Sequence, residues 1–157
     1  MQIHRVLLVE DDFIINMDIR EHLTECGYVV ETAYCASAAI ENLDRGRRVS
    51  ALVTDIELGD GADGFAVARH ARTANPGLPV VYISATSAAR HGAEGVAGSA
   101  FVGKPLHPRE VVAALRRLMD QPVPDPEALR LPTSTAAWPG ALGVGRIGPL
   151  RRRSFAA

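Results

Sequence analysis

Short apolar runs alternate with segments of helical periodicity along the first 120 residues of the chain. The apolar runs predict five strands, over residues 3–9, 28–32, 51–54, 79–83 and 99–102. Each run is almost uniformly apolar, which is typical of a strand in a parallel sheet that is covered on both faces.

A segment with helical spacing follows each predicted strand. In the first helix, Ile15, Ile19 and Leu23 recur every four residues. Asp12 is the expected amino-terminal cap of this helix, and Gly27 its expected end. The remaining helices are predicted over residues 36–45, 65–73, 87–95 and 108–119. The fourth helix is the weakest, because glycines within it lower helix stability.

Five successive strand–helix units predict an α/β fold, in which a doubly wound parallel sheet carries helices on both faces. Ligands of such sheets bind outside the carboxyl ends of the strands, at the point where the strand order reverses. The residues at these ends are therefore the first candidates for chemistry.

Polar and charged residues follow four of the five predicted strands. They are Glu10 and Asp11 after the first strand, Asp55 after the third, Ser84 after the fourth and Lys104 after the fifth. Because the carboxyl ends of parallel strands lie at one edge of the sheet, these side chains are expected to converge.

Three carboxylates in one pocket repel one another, and a divalent cation relieves that repulsion. Mg²⁺ prefers oxygen ligands and keeps several of its waters. Asp11 and Asp55 are suited to direct coordination, together with the backbone carbonyl of Glu57. Glu10 is suited to a contact through water.

The same residues suit phosphoryl transfer, which needs mainly positioning and charge stabilisation. Asp55 is the expected phosphoacceptor, because a carboxylate can form an aspartyl-phosphate intermediate. Lys104 and Ser84 would contact phosphate oxygens, with Thr86 as a weaker substitute for Ser84. Lys104 is the only lysine in the chain, and its bond to Pro105 is a candidate for the cis form.

Four short motifs at the predicted strand ends carry a family resemblance. They are Val9-Glu10-Asp11-Asp12, Val53-Thr54-Asp55, Ile83-Ser84-Ala85 and Gly103-Lys104-Pro105. In order and spacing they resemble the receiver domain of two-component response regulators, over roughly residues 3–119. The resemblance implies a flavodoxin-like fold with strand order 2-1-3-4-5. It also implies a phosphoryl group taken from a histidine kinase or a histidine phosphotransfer protein.

The resemblance further implies how a signal would leave the domain. The fourth helix, the fifth strand and the fifth helix would form the surface that a downstream protein target reads. Phe101 matches the aromatic switch position of the family, and Ser84 matches its hydroxyl position. Because Phe101 lacks the hydroxyl of a tyrosine, switching would depend on the packing of its ring.

The leading hypothesis is a stand-alone receiver that catalyses its own phosphorylation and dephosphorylation and no reaction of an external metabolite. A phosphorelay shuttle would use the same site, whereas a phosphorylation-independent binding module would not need it. An aspartate-nucleophile phosphatase would carry a second aspartate two residues after the nucleophile, where this chain has Glu57. These three alternatives remain open.

Composition divides the chain into a receiver domain over residues 1–120 and a tail over residues 121–157. The tail is rich in proline and glycine and weakly basic, and it shows no helical or alternating period. This composition predicts a disordered or loosely packed segment. The tail is also too short and too broken for a helix-turn-helix unit, so no DNA-binding domain is expected.

The formal net charge of −1 gives no general attraction to nucleic acids or membranes. No run of about 18 apolar residues predicts a membrane span, and no amino-terminal signal pattern precedes the first strand. Cys26 and Cys35 match no metal or redox motif. The cytoplasm is the expected compartment, and the sequence leaves homodimerisation through the last helices open.

Overall fold

A computed structural model describes residues 4–59 and 61–120 of the chain. The strands are β1 (Arg5–Val9), β2 (Val29–Ala33), β3 (Ala51–Asp55), β4 (Val80–Ser84) and β5 (Ala100–Gly103). The helices are α1 (Phe13–Glu25), α2 (Ala36–Asp44), α3 (Gly64–Ala74), α4 (Ala88–Glu94) and α5 (Pro108–Met119). All ten predicted elements are present, and their bounds lie within two residues of those predicted.

The strands form one parallel sheet in the order β2-β1-β3-β4-β5. The order reverses between β1 and β3, so these two strands flank the crevice at which ligands of such sheets bind. The predicted flavodoxin-like fold is therefore confirmed.

Strands β2 to β5 each end one residue later than predicted. Asp55 is the last residue of β3 and pairs with Ile83, while Ser84 is the last residue of β4 and pairs with Gly103. Backbone pairing does not depend on whether a side chain is polar, so the ladder continues through the first polar residue. The sheet itself consequently holds the backbone of Asp55 and Ser84.

Alternate residues of the sheet contribute to two apolar layers. In β1, Leu7 and Val9 belong to one layer, whereas Val6 and Leu8 belong to the other. Helices α2 and α3 complete the first layer, and α1 and α5 complete the second. Their buried residues are Ala36, Ala39, Phe65, Val67, Ala68 and Ala71 in the first layer, and Ile19, Leu23, Val111, Val112, Ala114 and Leu115 in the second.

Helix α4 differs from the other four helices. It has seven residues, none of them buried, and the hydroxyl of its N-cap residue Ser87 makes no capping hydrogen bond. A helix of this length has little stability of its own. The structure thus agrees with the weak helix that the sequence predicts here.

Side-chain caps begin three of the helices. Asp12 caps α1, as predicted, by accepting two backbone N–H groups at 2.8 and 3.0 Å. Asp63 caps α3 by accepting one N–H group at 3.0 Å. At α5, His107 Nδ1 accepts the N–H of Arg109 at 3.2 Å, and the Glu110 side chain accepts the N–H of His107 at 2.8 Å, which is the reciprocal arrangement of a capping box.

Within residues 4–59 and 61–120, no helix combines the length and the apolarity needed to cross a lipid bilayer. The predicted tail, residues 121–157, lies outside the described residues. Its boundary and its character therefore stay predictions.

Candidate functional site

The carboxyl ends of β1 and β3 bring three carboxylates together. One oxygen from each of Glu10, Asp11 and Asp55 lies within 4.8 Å of the other two. Glu10 is fully buried and Asp55 is 3% exposed, whereas Asp11 is open to solvent. The cluster forms because β1 and β3 are neighbours in the sheet.

Lys104 brings a positive charge to this cluster. Its Nζ lies 2.5 Å from Asp55 Oδ2 and 2.9 Å from Glu10 Oε2. The backbone N–H of Lys104 donates to the carbonyl of Ser84 at 2.8 Å, which extends the pairing of β5 with β4 to the edge of the site. The peptide bond between Lys104 and Pro105 is cis, as the sequence indicates.

Backbone N–H groups orient the two buried carboxylates. Asp55 Oδ1 accepts the N–H of Glu57 at 3.0 Å, and Glu10 Oε1 accepts the N–H of Asp12 at 3.1 Å. Each carboxylate therefore has one oxygen on a backbone N–H group and the other beside Lys104. Both are held in a defined orientation by the protein alone.

Burial opposes the negative charge of this cluster. Burial raises the pKa of Glu10 from 4.5 to about 7, with the hydrogen bond from Lys104 opposing the shift and the charge of Asp55 adding to it. Burial also raises the pKa of Asp55, against the pairing with Lys104. One ammonium group does not balance three ionised carboxylates, so the site is short of positive charge.

The acidic cluster fits a metal ion. Its ligands would be oxygens, which hard divalent cations prefer, and the exposure of Asp11 leaves room for metal-bound waters. The loop after β3 passes beside the cluster, because a Cβ added at Gly59 would lie 3.5 Å from Asp11 Oδ2. The cluster can therefore hold a cation, while the ligand role of the Glu57 carbonyl stays a prediction.

The hydroxyl of Ser84 donates to the side chain of Glu57, at 2.8 Å to one carboxylate oxygen and 3.1 Å to the other. The hydroxyls of Thr86 and Ser87 donate to the same carboxylate. Burial raises the pKa of Glu57, but the bonds from Ser87, Ser84 and Thr86 outweigh it and lower the pKa overall. The carboxylate of Glu57 is thus ionised, and both of its oxygens accept hydrogen bonds from hydroxyl groups.

From the sequence, only a backbone role is predicted for Glu57, and the contacts of its side chain are not. The available signal was the run of hydroxyl residues after β4, at Ser84, Thr86 and Ser87. Three hydroxyl groups close together need acceptors, and an acidic residue on the neighbouring β3 loop supplies them. Whether Ser84 donates to a phosphate oxygen, as the sequence predicts, stays a prediction.

Gly64 is a second residue whose importance is not apparent from the sequence. A Cβ at this residue would lie 2.0 Å from the carbonyl oxygen of Asp55 and 2.9 Å from Oγ1 of Thr54. The N–H of Gly64 also donates to the carbonyl of Ile56 at 2.9 Å. Helix α3 therefore begins in direct contact with the backbone of Asp55, and only glycine leaves space for this contact.

Phe101 lies half-buried in β5, opposite Tyr82 of β4. Its ring centroid is 5.6 Å from the ring of His91 in α4, and that ring is 5.4 Å from the ring of Tyr82. These three rings connect α4 with β4 and β5. Phe101 is thus placed within the predicted partner surface, while its role as a switch stays a prediction.

Comparison with known proteins identifies the family of this chain. The family model of the response regulator receiver domain matches residues 6–116. A response regulator MprA of Mycobacterium leprae is 31% identical over 126 residues, which cover 79% of this chain and 54% of that protein. A response regulator MprA of Mycobacterium avium is 29% identical over the same shares. The chain spans about half the length of the curated relatives it matches.

Solved structures show the same architecture. A response regulator receiver protein from Sinorhizobium medicae has a TM-score of 0.73 and 33% identity, over 75% of this chain and 95% of that chain. The chemotaxis protein CheY4 of Vibrio cholerae agrees in fold, with a TM-score of 0.67 and 22% identity over 74% of this chain and 99% of that chain. The chain therefore belongs to the response regulator receiver domain family of two-component systems, whose members are signalling modules rather than classical enzymes.

Proposed function

We propose that Asp55 accepts a phosphoryl group from a histidine kinase or a histidine phosphotransfer protein. Phosphorylation then changes how the surface formed by α4, β5 and α5 binds a downstream protein. One observation carries the proposal, namely that the nearly buried carboxylate of Asp55 lies 2.5 Å from Lys104 Nζ, beside two further carboxylates. Such a charge-dense strand end suits a group that will carry phosphate.

In the reaction, a carboxylate oxygen of Asp55 attacks the phosphorus of the donor. The bond from phosphorus to the donor nitrogen breaks, and an acyl phosphate forms on Asp55. The ammonium group of Lys104, already beside the accepting carboxylate, balances negative charge on the transferred phosphoryl oxygens. Water later hydrolyses the acyl phosphate and restores the carboxylate, so no external metabolite is consumed.

Asp11 and Asp55 would hold a magnesium ion, with the Glu57 carbonyl as a further ligand and Glu10 acting through water. When bound there, the ion would supply positive charge that stabilises the phosphoryl oxygens. The raised pKa values of Glu10 and Asp55 support this assignment, because they reflect buried anions with too little positive charge nearby.

A phosphatase acting on external substrates is less well supported. Such enzymes resemble this site but carry a second aspartate two residues after the nucleophile, and any group that acts as a general acid has to hold a proton to deliver. In this chain that residue is Glu57, which has a lowered pKa and accepts hydrogen bonds from three hydroxyl groups. It is therefore poorly suited to deliver a proton.

Mass spectrometry after treatment with acetyl phosphate and Mg²⁺ tests the proposal. The wild-type chain should gain the mass of one phosphoryl group, and Asp55→Asn should gain none, because an amide is not a nucleophile of this kind. Chelation of Mg²⁺ with EDTA should suppress the gain in the wild type. A folded wild-type sample that takes up no phosphate, or an Asp55→Asn variant that takes it up equally, would contradict the proposal.

Two further measurements address output and competing chemistry. Amide hydrogen exchange over residues 84–102 should change when beryllofluoride, a phosphoryl mimic, is added with Mg²⁺, because α4 has no buried residues to fix it. Equal exchange with and without the mimic would count against switching through this surface. Steady turnover of an aryl phosphate would instead favour the phosphatase.

A further inference from the structure

We propose that the side chain of Glu57 is a positioning residue that restrains Ser84 in the unphosphorylated chain. In this arrangement Glu57 competes with the phosphoryl group for the hydroxyl proton of Ser84, and it thereby opposes phosphorylation of Asp55. The inference rests on the proposed function, since it concerns how easily that site accepts its phosphoryl group.

The hydroxyl proton of Ser84 already forms a hydrogen bond with Glu57. A serine hydroxyl has one proton to donate, and Ser84 donates it to the carboxylate of Glu57, at 2.8 and 3.1 Å to the two oxygens. Ser84 is also fully buried, so water does not offer an alternative partner. For Ser84 to donate to a phosphoryl oxygen, its bond to Glu57 has to break.

The same carboxylate restrains the segment between β4 and α4. Thr86 Oγ1 donates to Glu57 at 3.2 Å, and the hydroxyl of Ser87 donates to the same oxygen. The backbone N–H groups of Thr86 and Ser87 in turn donate to Ser84 Oγ, at 3.1 and 3.0 Å. Glu57 thus accepts hydrogen bonds from all three hydroxyl groups between the end of β4 and the start of α4.

Release of Glu57 would also affect α4. Ser87 is the N-cap residue of that helix, yet its hydroxyl bonds Glu57 instead of the helix backbone. A serine freed from this bond is able to cap α4, which has no buried residue to anchor it. Glu57 therefore connects the Asp55 site with the amino end of the helix in the predicted partner surface.

The negative charge of Glu57 also opposes phosphorylation of Asp55, as its hydrogen bond to Ser84 does. Glu57 lies two residues after Asp55, and its N–H group bonds Asp55 Oδ1 at 3.0 Å. Phosphorylation adds negative charge at Asp55, and the ionised carboxylate of Glu57 opposes it. Removal of that carboxylate should consequently favour the phosphorylated state.

The test measures beryllofluoride binding to the full-length chain in the presence of Mg²⁺, by fluorine NMR. Glu57→Ala should bind the mimic about tenfold more tightly than the wild type, a change that corresponds to roughly 1.4 kcal/mol, close to one hydrogen bond to a charged group. Glu57→Gln keeps one acceptor oxygen and should fall between the two. Glu25→Gln, an exposed charge removal on α1, serves as the matched control and should bind like the wild type.

A double-mutant cycle separates the proposed role from general loosening of the loop. In a Ser84→Ala background, Glu57→Ala should bring clearly less than its tenfold gain, because the effect through the hydroxyl is missing and only the effect of charge remains. The same gain in both backgrounds, or weaker binding by Glu57→Ala and Glu57→Gln alike, would overturn the inference.

Hydrogen exchange of the unphosphorylated chain provides a readout that does not depend on phosphate. Glu57→Ala should increase exchange at the amides of Thr86 and Ser87, relative to the wild type and Glu25→Gln. Unchanged exchange there would show that Glu57 does not restrain the segment. A wild type that binds no mimic and takes up no phosphate would contradict the proposed function instead, so the two failures are distinguishable.

Discussion

Glu10 shows how a single residue in the site depends on its surroundings. It is fully buried, yet it keeps a backbone N–H group at 3.1 Å on one oxygen and Lys104 Nζ at 2.9 Å from the other. These partners do not compensate for the hydration that Glu10 loses on burial, so the pKa of Glu10 rises to about 7. A carboxylate at this position therefore favours its neutral form unless more positive charge is present.

This shift predicts how stability depends on pH. Because folding raises the pKa of Glu10 from 4.5 to about 7, the folded chain binds more protons than the unfolded chain between these two values. The contribution of Glu10 to the free energy of unfolding should fall as pH rises from about 4.5 to about 7, by up to about 3 kcal/mol without metal. Urea unfolding at several pH values in EDTA measures it.

Glu10→Gln is the matched control for this prediction. Glutamine has nearly the same shape and does not titrate. The decrease in stability that Glu10 causes as pH rises should therefore be absent from the variant. Parallel pH profiles for the wild type and Glu10→Gln would show that the burial of Glu10 carries no ionisation cost.

At the scale of the element, the passage from β3 to α3 determines where the backbone of Asp55 lies. The first residue of α3, Gly64, approaches the Asp55 carbonyl so closely that a Cβ would lie 2.0 Å from its oxygen. Real atoms do not come this near, and the obstacle is backbone rather than a flexible side chain. The close approach therefore links the packing of α3 directly to the geometry of the site.

Alanine substitutions at two helical glycines should have opposite effects. Gly64→Ala should lower the free energy of unfolding by about 2 kcal/mol or more, because β3 or α3 has to move. Gly92→Ala, in the exposed interior of α4 with nothing within 4 Å of its Cβ position, should raise it by up to about 1 kcal/mol. Urea unfolding of both variants measures the two changes. Similar stability of Gly64→Ala and the wild type would refute the close contact.

At the scale of the whole molecule, both apolar layers are completed by elements within residues 4–59 and 61–120. Helices α2 and α3 cover one face of the sheet, and α1 and α5 cover the other. A domain with its own closed core is expected to fold without further chain. The predicted boundary at residue 120 can therefore be tested directly.

A chain ending at Asp120 should fold and take up phosphate like the full-length chain. Its urea midpoint should correspond to a stability within roughly 0.5 kcal/mol of the full-length value, since every described residue of both apolar layers is kept. Urea unfolding and acetyl phosphate labelling of both chains provide the measurements. A large loss of stability would show that residues 121–157 contribute to the domain and that the boundary is wrong.

Much of this molecule is predictable because the relevant signals are local. The apolar period indicates strands and helices, and the position of a polar residue at a strand end indicates which edge it occupies. Asp55 and Lys104 can be assigned to one site in this way, although they are far apart in the sequence. The bounds of the strands are less accessible, because the backbone ladder continues through Asp55 and Ser84 regardless of polarity.

By itself, the sequence determined the doubly wound fold, the strand order implied by the family, and the acidic cluster with its lysine. The period of apolar residues and the polar residues at the strand ends are local features, so they can be recognised without a tertiary structure. Only the tertiary structure decided that Glu57 holds three hydroxyl groups, that Gly64 touches the backbone of Asp55, and that Glu10 has a pKa near 7. These properties depend on distances and on the exclusion of water between separate segments, and neither quantity is encoded by any single stretch of residues.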